Sequence, residues 1–159
     1  MSEVKLMRVC FGGLELQVPE IWNVETEIYT EPDGRECAMI DISAVAGDPR
    51  SVVLSYGPMP EGSDALMEAE DTYADLMGDA APQTDESQIC EYFLGRTAFG
   101  FEVETEDNLA CNFICVAVGQ EGASEACKLL TVLTTAGSYE DIDDLLDLVE
   151  ENIVLHFSR

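Results

Sequence analysis

Apolar and polar positions alternate with a period of two along much of this chain. The clearest instance is residues 99–106, where Phe99, Phe101, Val103 and Thr105 interleave with Glu102, Glu104 and Glu106. That period predicts a strand with one buried and one wet face. Residues 109–118, which follow, are apolar on both parities and predict a strand covered on both sides in the middle of a sheet. A glycine corner near Gly95–Gly100 and an acidic turn around Asp107 make residues 88–118 the architectural centre.

The same reading extends to both ends. Residues 4–11 and 14–18 flank Gly12-Gly13 and predict a β-hairpin. Pro19 ends its pairing, and the lone Trp22 reads as a core plug. Strands are predicted at 24–29, 36–44 and 51–56, with a turn at Glu31-Pro32-Asp33-Gly34. Ser63 or Asp64 can cap a helix running to about Met77, which Gly78 stops. A strand at 127–136 leads through Gly137 to a last helix, capped by Ser138, with Ile142, Leu145, Leu146, Val149 and Ile153 as its buried stripe.

Composition narrows the classes. A chain of 159 residues that is 47% hydrophobic suits one domain, spanning 1–159, with a real core. Its 33 acidic residues against 7 basic ones give a formal net charge of −26. Such a surface repels nucleic acid and anionic lipid and attracts basic proteins or cations. Six scattered cysteines make no disulfide framework and read as free core thiols of a reducing compartment. No leader pattern opens the chain and no apolar run is long enough to span a bilayer, so the expectation is a cytoplasmic protein.

The order of elements, with GGLELQVPEIW at 12–22, YFLGRTAFGFEVET at 92–105 and the closing LLTVLTTAGSYEDIDDLLDLVEENIVLHF, resembles the PsbP-like family over most of the chain. The resemblance implies an α+β fold, an α/β/α sandwich whose mainly antiparallel sheet is flanked by helices. It also implies a binding or assembly role, as in the family's Ran-binding nuclear import factor, DcrB-type proteins and secretion-effector chaperones. It carries over no catalytic residue.

Candidate chemistry is sparse. His156 is the sole histidine and no nucleophile-elbow sequence accompanies it, so no catalytic residue is assigned. Cys111 and Cys115 share a strand face but Phe113 lies between them and no CxxC pair occurs, so no metal or cofactor is assigned. Glu102, Glu104 and Glu106, with Asp107 at the turn, form a carboxylate row suited to a basic partner. The expected function is therefore a non-catalytic interaction or chaperone-like adaptor whose partner is another protein, with neither nucleic acid nor membrane as partner. The alternative is a small-ligand binder or enzyme with a pocket between sheet and helix, built from Tyr56, Tyr73, Tyr92 or Trp22.

Overall fold

Ten strands and one fourteen-residue helix are seen in the computed structural model, which describes residues 5–32, 34–59, 67–68, 71–72, 88–93, 96–104, 109–119 and 127–155. The first hairpin is β1 (Leu6–Phe11) and β2 (Leu14–Pro19), in register from Leu6 opposite Pro19 to Phe11 opposite Leu14. Gly12 and Gly13 turn it with φ of +59° and +90°, a conformation open to glycine. A Cβ on Gly12 would run into the Ala38 Cβ, so the hairpin tip sits directly on the larger sheet.

That larger sheet is built from β3 (Asn23–Thr30), β4 (Glu36–Ser43), β5 (Ser51–Pro58), β6 (Gln88–Phe93), β7 (Arg96–Glu104), β8 (Ala110–Gly119) and β9 (Cys127–Ala136). Its order is β3-β4-β5-β9-β8-β7-β6, with every neighbouring pair antiparallel. β9 is thus the middle strand. β8 beside it is paired on both edges and buried from 110 to 116, as its unbroken apolar run requires.

The helix α1 (Tyr139–Asn152) begins at Ser138, whose Oγ accepts the Asp141 N–H at 3.2 Å, with Glu140 and Asp141 in the positive first turn. It buries Ile142, Leu145 and Val149. A two-residue strand, β10 (Val154–Leu155), then joins β2 and completes a three-stranded sheet, β1-β2-β10. The main core lies between this small sheet with α1 and one face of the large sheet. Leu14, Leu16 and Val18 meet Ile40, Ile42, Leu54, Ile114 and Val132 there. Each such side chain contributes on the order of 1.5–3 kcal/mol of burial. Trp22 joins them, buried, with the Arg50 guanidinium 5.1 Å over its ring.

The expected α/β/α sandwich is corrected by this arrangement. Among the described residues the architecture is mostly β, two antiparallel sheets with a single C-terminal helix, rather than an α/β/α sandwich. The reason is visible in the N-terminal hairpin. Instead of extending the large sheet it pairs with β10 and shares one face of that sheet with α1, so a second sheet fills space that the sandwich reading gives to helices. The helix predicted to about Met77 falls largely outside the described residues; within it, Met67, Glu68, Asp71 and Thr72 have helical backbone.

Candidate functional site

The predicted carboxylate row is placed only in part. Glu102 is half-buried on the face of β7 that also carries buried Ala98 and Gly100, and its Oε2 accepts Asn112 Nδ2 at 3.5 Å. Glu104 closes β7 with its side chain outside the described residues, and Glu106 and Asp107 lie outside them altogether. Alternation predicts this parity to be the wet one, but it faces the α1 side of the sheet, where Ala98 belongs to the main core. Asn112 stands opposite Glu102, and Thr134 opposite Asn112, in a polar row across β7, β8 and β9. Asn112 Oδ1 and Thr134 Oγ1 are buried without a hydrogen-bond partner.

The space beside Trp22, Ile42, Leu145 and Val149 is only about 10 Å³, room for about one water. Tyr56 is fully buried, its phenol pushed up to about 12 by burial, and Lys128 Nζ lies 4.9 Å over its ring. Tyr73 and His156 lie outside the described residues, as does the side chain of Tyr92. Of the cysteines, Cys37, Cys111 and Cys115 are buried, whereas Cys10 is exposed on β1 and departs from the core reading. Phe113, between Cys111 and Cys115, stacks on Phe101 with centroids 5.3 Å apart, and no group of three or more metal-ligating side chains occurs among the described residues.

Two features that no local motif announces lie on the other side of the molecule and meet at β3. The first is the strand itself. β3 is an edge of the seven-stranded sheet, eight residues long, and its outer side pairs with no strand among the described residues. Glu25, Thr26, Glu27 and Ile28 are exposed in succession, so both faces of the strand are open. Glu25 stands directly opposite Asp41 of β4, and Glu27 is two residues along on the same face. Like charges placed directly opposite destabilise a ladder, so this arrangement is electrostatically unsatisfied within the chain.

The second feature is a cleft of about 200 Å³ at the far end of the same strand. Tyr29 of β3 reaches across β4, and its hydroxyl shares a 2.6 Å hydrogen bond with Ser55 Oγ of β5. Burial raises the Tyr29 pKa, offset in part by that hydrogen bond, so the phenol stays protonated at neutral pH. Phe113 and Leu129 add apolar surface, and Glu31, Arg35 and the helical Glu68 bring charge. Arg35 Nη1 donates to the Pro58 carbonyl at 2.8 Å. Gly57 lines the cleft beside Cys37, and a Cβ there would approach Cys37 Sγ to 2.6 Å. Glycine at this position lets the Cys37 side chain pack against the β5 backbone.

The chain matches no protein-family model, and no curated protein matches it. Among the described residues no helix is long and apolar enough to cross a membrane.

Proposed function

We propose that this protein is a non-catalytic adaptor that holds another protein by taking an extended, basic segment of it onto the outer edge of β3. The observation that carries the reading is an eight-residue edge strand with four successive exposed side chains and no proline or lysine to guard it. Such an edge offers a row of main-chain donors and acceptors to an added strand. Charge selects the occupant. Glu25, Glu27 and Asp41 supply carboxylates at strand spacing, and the chain's net charge of −26 steers basic segments toward it.

The same charges disfavour self-pairing. Two copies of β3 laid antiparallel with Thr26 opposite Thr26 would set each Glu25 against the other copy's Glu27. An added strand with lysine or arginine at alternate positions turns that repulsion into attraction. The partner contact expected at the Glu102 row is thus better served by β3, because Glu102 is half-buried and hydrogen-bonded to Asn112.

The test uses a synthetic peptide of alternating lysine and valine, titrated by fluorescence anisotropy at low and moderate salt. Binding should weaken as salt rises. It should be lost in the Glu25→Lys/Glu27→Lys variant and retained in Asp143→Lys/Asp147→Lys, which makes the same charge change on the exposed face of α1. Equal loss in both variants would reduce the effect to net charge and sink the proposal.

A further inference from the structure

We propose that the partner segment taken up by β3 is amphipathic, basic on one face and apolar on the other, and that Ile28 reads its apolar face. The inference rests on the strand-edge reading and names the side chains that such a segment carries.

The two faces of β3 differ in kind. Asn23, Glu25, Glu27 and Tyr29 share one face, and Val24, Thr26, Ile28 and Thr30 share the other. Both acidic residues of the strand therefore lie on the first face, beside Asp41 of β4. The second face carries no charge and continues the main core: Val24 stands opposite Ile42 and Thr26 opposite Ile40, two of that core's buried residues.

The layer over this second face stops short of the strand. The hairpin tip at Gly12 rests on Ala38 of β4, one strand in from the edge, and Ile28, directly opposite Ala38, is 52% exposed. Val24 is packed against the core, whereas Thr26 and Ile28 are exposed. A singly exposed isoleucine is common on protein surfaces. This one stands on an edge that pairs with no strand among the described residues, where an added strand would set a side chain directly against it.

Alternation then fixes the segment. Successive residues of an added strand point to opposite faces, so those meeting Glu25 and Glu27 are basic and those meeting Thr26 and Ile28 are apolar. A slip of one residue would set lysine on Ile28 and an apolar side chain among the carboxylates, so the two faces together hold the register. The carboxylates draw a basic segment in, and Ile28 selects among basic segments.

The experiment compares the alternating lysine–valine peptide with a lysine–threonine peptide of the same length, by fluorescence anisotropy at one salt concentration. Both carry the same charge and β-branched side chains, so they differ in the apolar face alone. Wild-type protein should bind the valine peptide about tenfold tighter, the low end of what an added apolar group is worth in a site. Ile28→Thr should remove that preference while binding of the threonine peptide persists, which also shows the variant folded. Val154→Thr, which takes an exposed apolar side chain from β10, should leave the preference intact. Equal binding of the two peptides to wild-type protein, a preference that survives Ile28→Thr, or one lost equally in Val154→Thr would overturn the proposal and leave the strand-edge reading standing. Failure of both peptides to bind wild-type protein would overturn both.

Discussion

Glu25 and Asp41 face each other across the β3–β4 ladder, two carboxylates in register at the edge of a seven-stranded sheet. A pair of this kind weakens the ladder by a few tenths of a kcal/mol, up to about 1 kcal/mol. Replacing Asp41 with Asn should therefore raise the urea midpoint slightly with an unchanged slope. The same variant should weaken the lysine–valine peptide, because the unfavourable pair is what the added strand relieves. A midpoint that falls would show the pair to be satisfied within the chain.

Thr134 offers a second stability test. Its Oγ1 is buried without a partner in the row shared with Asn112 and Glu102. Thr134→Val keeps the branched shape and removes an unmet polar group, which should stabilise the protein by about 1 kcal/mol in denaturant unfolding. Loss of stability would mean that the hydroxyl is bonded, through an internal water.

Gly100 reports on the meeting of β7 and β8. A Cβ there would run into the Phe113 carbonyl oxygen, which belongs to backbone and cannot turn aside. Gly100→Ala should destabilise by about 3 kcal/mol, the upper end for overpacking. A near-neutral melting temperature would contradict the close approach.

Buried acids set the alkaline limit. Burial holds the Cys115 thiol up to about 12, with Glu68 nearby adding to it, and burial alone holds Tyr56 up to about 12. Both groups keep their protons in the folded state after the unfolded chain, with ordinary values of 9.0 and 10.0, has begun to release them. Stability is therefore full below about pH 9 and declines as pH rises toward 12. Cys115→Ala should flatten that decline. At pH 8 a thiol reagent should label exposed Cys10 well before Cys115, as peptide mapping would show; the reverse order would contradict the burial.

Much of the fold was legible where one residue type has one geometric use. Gly12-Gly13 marked a turn that needs positive φ, Ser138 marked a helix cap, and the double-parity apolar run at 109–118 marked a strand covered on both sides. The sandwich expectation went astray because periodicity describes an element and not its partner: nothing in residues 4–18 says whether the hairpin joins the large sheet or, with β10, a second one. The Glu102 row shows the same limit. Alternation assigns a face, and burial of that face depends on how far the covering layer extends. β3 was recognised as a strand, while its position at an edge is a matter of pairing order. The cleft was illegible because Tyr29, Arg35, Ser55 and Phe113 come from three different strands and a turn.

The central claim is that a basic segment adds as a strand to β3. Amide hydrogen exchange across residues 23–30, with and without the lysine–valine peptide, tests it most directly. Outward-facing amides of an uncovered edge exchange readily, and an added strand would engage them. The account predicts new protection at alternate amides of β3, with no comparable change on α1. Binding of the peptide with unchanged exchange along β3 would contradict it.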